Sequence, residues 1–296
     1  GDGVAMTHRN SAFWATIFLI PASILTLVFM IVPIIGAFSL SVFQWDILTP
    51  PAFIGLRNFT RLAEDPVFIS AVRNTIFFIV GYTPSVMAAG LICALILNRS
   101  IPGRTFLRAA FFLPVVSSWV AVALLWQWLF NSEAGLINYG LSLVGIQGPA
   151  WLYSERWAMP AIIITSVWKD TGFVMMIFLG GLQGISRSYY EAATIDGAKR
   201  YQTFYHITRP LLSPASFFIL VVTLINSFQV FEQVFVMTGG GPAGLTRVLV
   251  QQIYLNTARY SRMGYASAMA LVLFALIMSV TLVQMRLQKR WVHYDS

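Results

Sequence analysis

Long stretches without Asp, Glu, Lys or Arg dominate the sequence. They cover residues 10–45, 74–98, 109–132, 210–231 and 263–285. A bilayer-crossing helix needs about 20 mostly apolar residues, so each stretch predicts a spanning helix. A sixth segment, 158–182, has the same length and apolar character but contains Lys169 and Asp170 near its centre. We therefore predict an all-α, polytopic membrane protein with six transmembrane helices. Their expected positions are about 12–44, 74–98, 108–131, 158–182, 211–236 and 263–286.

The composition supports this interpretation. Apolar residues make up 57% of the chain and charged residues 10%, whereas soluble domains carry about a quarter charged residues. The net charge of +8 fits a positive-inside bias better than nucleic-acid binding, and we expect no nucleic-acid partner. If both termini are cytoplasmic, the cytoplasmic segments carry more basic residues than the outer segments do. Without a visible internal repeat, residues 1–296 are predicted to form one transmembrane domain.

Local signals add detail. Asp65-Pro66 has the pattern of an N-cap followed by proline, which predicts a short interfacial helix before the second span. Cys93 is the single cysteine, which excludes an intrachain disulfide and a multi-cysteine metal site. The three histidines are scattered, so no metal site is expected.

The segment 184–210, here called the coupling segment, carries the most specific pattern. Ser188 and Glu191 stand at capping-box spacing, which predicts a helix starting at Ser188. Asp196-Gly197 should end that helix, since Gly adopts the left-handed conformation readily. A second helix is predicted over about 199–207. Together they would form a compact knob on the cytoplasmic side.

This segment resembles the EAA signature of permease subunits of bacterial ATP-binding-cassette importers. The matching residues are Glu191-Ala192-Ala193, Gly197, Ile207 and Pro210, at the spacing of that signature. Arg209 departs from it, because relatives usually carry an apolar residue before the proline. Further segments resemble the maltose, sn-glycerol-3-phosphate and multiple-sugar branch of the family, namely 53–59, Asp65-Pro66, 237–242 and 264–269.

The resemblance implies a mechanical role. The knob would be a coupling helix that docks in a cleft of a separate ATPase subunit, with Glu191 facing a basic residue there. The implied ATPase-coupling residues are Glu191, Ala192, Ala193, Asp196 and Gly197. No G-x-x-x-x-G-K-[ST] loop occurs in the chain, so the chain is not expected to be an enzyme or to bind a cofactor. ATP and Mg would be held by the partner subunits. The competing interpretation is that Glu191 only completes a capping box.

The resemblance also implies a heteromeric importer in the inner membrane. Its partners would be a second homologous permease, two ATPase subunits, an extracytoplasmic solute-binding protein, the lipid bilayer and a small-molecule substrate. That substrate would be a sugar or a glycerol-phosphate-type solute.

Polar residues within the spans indicate where the substrate passes. Ionisable groups at mid-membrane are costly and usually face a polar interior. At 100° per residue, Ser166, Lys169, Asp170 and Phe173 share one helix face, and Asn226, Gln229 and Gln233 form a similar stripe. By its offset from Glu191, the resemblance adds Ser227. The predicted substrate path therefore comprises Ser166, Lys169, Asp170, Phe173, Asn226, Ser227, Gln229 and Gln233.

Three alternatives stay open at this point. Lys169 and Asp170 could serve only to pair helices with the partner permease. The chain could be a self-contained carrier driven by an ion gradient, with Lys169, Asp170 and Glu232 as the relay, although this leaves the coupling segment unexplained. A membrane-embedded enzyme is the weakest reading, since no Ser/His, Cys/His or metal cluster recurs at membrane depth.

Overall fold

The protein is almost entirely helical. The structure, a computed structural model, describes Trp14 and residues 17–291. In chain order the helices are α1 (Ile17–Leu40), α2 (Arg57–Glu64), α3 (Pro66–Leu97), α4 (Arg104–Val116), α5 (Trp119–Leu129), α6 (Leu136–Leu143), α7 (Ala158–Gly184), α8 (Arg187–Ile195), α9 (Arg200–Leu211), α10 (Ser213–Phe228), α11 (Glu232–Met237), α12 (Leu249–Tyr254) and α13 (Met263–Trp291). Two short strands, β1 (Phe43–Gln44) and β2 (Ala52–Phe53), pair antiparallel.

Four of these helices are long and apolar enough to cross a membrane: α1, α3, α7 and α13. Two bent pairs add to them. Helices α4 and α5 meet at 102°, and α9 and α10 meet at 63°. If each pair forms one span, the described residues contain six. The predicted class, a polytopic helical membrane protein, is confirmed. The predicted start of the first span at residue 12 lies outside the described residues.

The third predicted span is not one continuous helix. Helix α4 ends at Val116, and Ser117 and Ser118 are extended, with ψ near 145° and 136°. Pro114 lacks the N–H that would continue the helical ladder. The Ser117 hydroxyl donates to the carbonyl of Leu113 at 3.0 Å, a local bond that competes with the helix. The span predicted over about 108–131 is therefore a bent pair of helices, α4 and α5, and not one straight helix.

The fifth span also differs from its prediction. Helix α10 ends at Phe228, the chain breaks at Gln229 to Phe231, and α11 begins at Glu232. The continuous helix predicted over 211–236 is therefore two helices. This break decides which side chains meet in the site described below.

The second span also starts differently from its prediction. The Asp65 carboxylate accepts from the backbone N–H of Val67 at 2.8 Å, and Pro66 is the first helical residue. The predicted cap is present. It begins the long spanning helix α3, however, and not a separate interfacial helix. A short helix, α2, precedes it instead. The second span is accordingly longer than the predicted 74–98.

By its internal contacts the chain divides into two units. The first comprises the described residues up to Glu64 together with Ile253–Val272. Its strand pair is held by buried Asn58, which donates to the carbonyls of Ser41 and Phe43 at 2.8 and 2.9 Å. In the loop between the strands, the hydroxyl and backbone N–H of Thr49 donate to Asp46, and these bonds lower the pKa of the Asp46 carboxyl.

The second unit comprises Asp65–Gln252 and the described residues from Leu273 onward. Its core lies between α3, α7 and α10, where Val86, Val174 and Ile219 are fully buried. At Gly90 a β-carbon would meet the side chain of Val174 and the backbone N of Met175. Small residues let membrane helices approach closely, so this glycine allows α3 and α7 to pack backbone to backbone. The predicted single domain stays a prediction.

Candidate functional site

The first helix of the coupling segment, α8, is fixed at both ends by its own sequence. The Ser186 hydroxyl accepts from the backbone N–H of Ser188 at 3.4 Å and is the N-cap. The helix therefore begins at Arg187, one residue before the predicted start at Ser188, because Ser186 caps it. Glu191 consequently does not sit at the third helical position that a capping box requires.

The predicted break at Asp196-Gly197 is present and has a defined geometry. Gly197 has φ +72°. The N–H of Ala198 donates to the Ala193 carbonyl at 2.9 Å, and the N–H of Gly197 donates to the Thr194 carbonyl at 3.1 Å. This pair of bonds is a Schellman motif, which satisfies the last carbonyls of a helix. The glycine corner therefore closes α8 and turns the chain back.

The second helix of the segment, α9, starts at a one-sided cap, in which a side chain of the first turn reaches back to the backbone. The Gln202 side chain accepts from the backbone N–H of Lys199 at 2.7 Å. After Thr203 the helix widens into a π-helical stretch, Phe204–Thr208, and then continues to Leu211. The hydroxyls of Tyr190 and Thr208 lie 3.2 Å apart, which ties α8 to α9. The knob predicted from the sequence is thus two helices joined by a hydrogen-bonded corner.

A groove of about 720 Å³ lies between these two helices. Of the predicted coupling residues, four line it: Ala192, Ala193, Asp196 and Gly197. Ala193 is buried in the knob, and the others are exposed. Glu191 is also exposed but is not part of the groove lining. The segment therefore presents a small-residue groove with a carboxylate beside it.

We expect a substitution at Gly197 to act through the backbone. A β-carbon there would meet nothing within 4 Å, so the left-handed conformation, costing about 1–2 kcal/mol for other residues, is the main obstacle. Gly197→Val should raise the amide exchange rates of residues 197 and 198 by about 5- to 30-fold. Gly197→Asn, which tolerates this conformation, should change them far less. Equal exchange rates in the two variants would contradict this explanation.

A second site lies within the spans, a polar cavity of about 360 Å³. It contains five of the predicted path residues: Asp170, Asn226, Ser227, Gln229 and Gln233. Asp170 comes from α7, the next two from α10, and the last two from the break and α11. The structure therefore brings the two predicted stripes together at one place.

The other three predicted path residues lie outside the cavity lining. Ser166 is fully buried and accepts from the Gln233 amide at 3.4 Å. The Lys169 ammonium donates to the carbonyl of Val115 at 3.0 Å and lies 4.8 Å from the ring centre of Trp119. Phe173 packs against the apolar core. Ser166 therefore contacts Gln233, which lines the cavity. Lys169 is directed toward the break between α4 and α5.

The cavity also contains residues that sequence reasoning missed. They are Phe78, Tyr82, Trp119, Val230 and Glu232. The Tyr82 hydroxyl donates to the Asp170 carboxylate at 2.7 Å, and this bond orients the carboxylate. Glu232 was predicted only as part of an ion relay, but it begins α11, just after the break that follows Phe228, and it lines the cavity. Tyr82 and Trp119 had no signal, since contacts between distant helices leave no local pattern.

The glycine-rich turn after α11 is held by threonines. The hydroxyls of Thr238 and Thr246 lie 2.7 Å apart, and Thr246 donates to the Gly241 carbonyl at 2.6 Å. Gly239 and Gly240 both have positive φ. The buried Asn74 amide reaches the carbonyls of Gly244 and Arg247 at 3.0 Å each. These bonds fix the loop against α3 at one end of the cavity-bearing unit.

Comparison with known proteins identifies the family. Residues 86–293 match the family of binding-protein-dependent transport system inner membrane components. The chain belongs to this family. It is a permease, the membrane-spanning subunit of an ATP-binding-cassette importer, and the ion-coupled carrier alternative receives no support.

Relatives and a solved structure agree with this. The permease is 37% identical over 278 residues to the probable ABC transporter permease protein YurN of Bacillus subtilis, covering 92% of this chain and 95% of that protein. It is 35% identical to the sulfoquinovosyl glycerol transport system permease protein SmoG of Agrobacterium fabrum, covering 92% and 89%. A bacterial ABC transporter involved in the import of the acidic polysaccharide alginate superposes with TM-score 0.84 at 26% identity, covering 96% of both chains.

Proposed function

We propose that the permease forms one half of a translocation path for a sugar-type solute, with the polar cavity as the place where the solute is held. The observation that carries this is the convergence of Asp170, Asn226, Gln229 and Gln233 on one cavity within the spans. Polar groups at membrane depth are costly. Their grouping around an open space is better explained by a hydroxyl-rich ligand than by helix pairing alone.

The cavity chemistry suits a sugar. Amides and carboxylates form hydrogen bonds with hydroxyl groups, and the Trp119 and Phe78 rings offer apolar surface for the carbon skeleton. The named relative SmoG belongs to a sulfoquinovosyl glycerol transport system, and another relative, 35% identical over 271 residues, belongs to a trehalose/maltose system of Thermococcus litoralis. Both support a glycoside as the cargo, but a sulfoquinovosyl group carries a sulfonate, so these relatives do not fix the charge of the cargo.

The coupling segment supplies the other half of the proposal. Its groove would receive the surface of an ATPase subunit, and Glu191, exposed beside it, would pair with a cation there. Small Ala192 and Gly197 allow close approach of that partner. Movement caused by ATP binding and hydrolysis in the partner would then reach α7 and α10, which flank the coupling segment in the chain.

The proposed assembly contains a second homologous permease, two such ATPase subunits and an extracytoplasmic binding protein. ATP and Mg would bind to the ATPase subunits. Both termini of the permease would face the cytoplasm of a bacterial cell. The binding-protein dependence of the family supports the extracytoplasmic binding protein most directly.

Alanine at Asn226 tests the path. Asn226 is exposed in the cavity, so its loss should remove ligand hydrogen bonds without disturbing the fold. We expect transport efficiency in proteoliposomes to fall about 5- to 10-fold, corresponding to roughly 1 kcal/mol of lost binding. The yield of assembled complex should stay unchanged.

Asn98→Ala is the matched control, because Asn98 is an exposed amide at the end of α3. It should retain full transport. If Asn226→Ala instead lowers assembly while the surviving complex has normal specific activity, Asn226 has a structural role and the cavity is not the path.

A further inference from the structure

The polar cavity has an acidic lining. Asp170 and Glu232 both contribute to it, and among the described residues that line it none is Lys, Arg or His. The remaining polar residues are neutral: Tyr82, Asn226, Ser227, Gln229 and Gln233. A solute in this space therefore faces carboxylates, amides, hydroxyls and aromatic rings.

The nearby cation is directed elsewhere. Lys169 neighbours Asp170 in the sequence, but its side chain is only 4% exposed. Its ammonium donates to the Val115 carbonyl and lies over the Trp119 ring. Trp119 lines the cavity, whereas Lys169 does not. An anionic group in the cavity would have no charged donor on the lining.

The two carboxylates occupy different settings. Asp170 accepts from the Tyr82 hydroxyl at 2.7 Å, which fixes one of its oxygens and leaves the other for a ligand. Glu232 is exposed at the start of α11, so its side chain can adjust to what enters. One carboxylate is positioned by a hydrogen bond, and the other is exposed.

We infer that the cavity selects uncharged or amino-bearing glycosides and rejects solutes that carry phosphate, sulfonate or carboxylate groups. This rests on the proposed function, which places the solute in the cavity. A sugar hydroxyl donates to a carboxylate oxygen, and an ammonium group does so with added charge attraction. A phosphate oxygen would instead face Asp170 and Glu232 as like charges, which discriminates strongly against it.

The acidic lining restricts the charge of the cargo, which the fold alone leaves open. The superposed alginate transporter handles an acidic polysaccharide, so the fold is compatible with an anionic cargo. Individual residues must therefore set the sign of the charge on the lining. That charge in turn decides whether anionic solutes are rejected. In this chain those residues are Asp170 and Glu232.

The test measures the charge preference of the cavity directly. In the assembled importer, Cys93, the single cysteine of this chain, is replaced by Ala, and Asn226→Cys places a thiol in the cavity. Modification of this chain by a trimethylammonium-bearing and by a sulfonate-bearing methanethiosulfonate reagent is followed by intact mass. Gln229→Cys, also exposed in the cavity, serves as a second thiol position.

Ser142→Cys is the reference, since Ser142 is exposed on α6 and its sequence neighbours are uncharged. We expect the ratio of cationic to anionic reaction rates to be about 10-fold larger at residue 226 than at residue 142. Glu232→Gln or Asp170→Asn should each reduce that excess at least about 3-fold. If Asp170→Asn does not assemble, Glu232→Gln alone decides, because Glu232 is exposed.

The outcomes separate the two proposals. Fast modification at residue 226 with the same charge ratio as at residue 142 overturns the charge selection but leaves the path in place. No modification at residues 226 and 229 by either reagent, with or without ATP, overturns the path itself and the selection with it. A raised ratio that neither neutral variant lowers also overturns the selection, because the charge would then come from elsewhere.

Discussion

Glu191→Lys is expected to reduce transport by the assembled importer about 10-fold or more. The carboxylate is exposed on α8 beside the groove of small residues, where we propose that an ATPase subunit docks. Reversing the charge would place like charges together, which costs several kcal/mol at an interface. ATP hydrolysis stimulated by the binding protein should fall in parallel, and less ATPase subunit should co-purify with the permease.

Glu133→Lys provides the control for this result. Glu133 is an exposed carboxylate in the turn between α5 and α6, so the same charge reversal occurs away from the coupling segment. It should leave transport and hydrolysis unchanged. If Glu191→Lys retains full transport and normal ATPase content, Glu191 does not take part in coupling.

Gly172→Ala is expected to lower the stability and yield of the complex strongly. A β-carbon at Gly172 would meet the backbone carbonyl of Phe111 and the Cα of Phe112, so α7 and α4 would have to separate. Overpacking of this kind costs about 1–3 kcal/mol and occasionally more. Because the obstacle is backbone, it cannot be relieved by a side-chain rotation. The midpoint of thermal unfolding in detergent and the monodisperse yield report the effect.

Gly180→Ala is the matched control on the same helix, since nothing lies within 4 Å of a β-carbon there. Alanine favours a helix over glycine by about 1 kcal/mol, so this variant should be neutral or slightly more stable. Similar unfolding midpoints for the two variants would show that α4 moves away easily, and the close approach would then be no constraint.

Much of the fold was predictable because the bilayer imposes a simple rule. Each spanning helix must be long and apolar, and this placed α3, α7 and α13 from the sequence. The breaks were not predictable at the same level. Whether a proline such as Pro114 bends or ends a helix depends on what satisfies the freed carbonyls, and those partners come from other helices.

The residues of the two candidate sites also differ in whether the sequence predicts them. The corner at Gly197 follows from local chemistry, so it was found from the sequence. The Tyr82 hydroxyl that meets Asp170 lies 88 residues away in the chain, beyond any periodicity. Glu232 lies beyond the break after Phe228, so helical spacing counted along α10 does not predict its position. Local rules therefore locate the coupling segment, and long-range packing decides the membership of the polar cavity.

The break between α4 and α5 explains how a lysine can exist at this depth. The last carbonyls of a helix have no partner within the helix and carry partial negative charge. Val115 belongs to that last turn, and its carbonyl receives the Lys169 ammonium at 3.0 Å. Two features that would each be unfavourable in a bilayer thus compensate one another. The buried lysine and the helix break are expected to occur together in homologues. A homologue with an apolar residue in place of Lys169 should therefore have a straight third span.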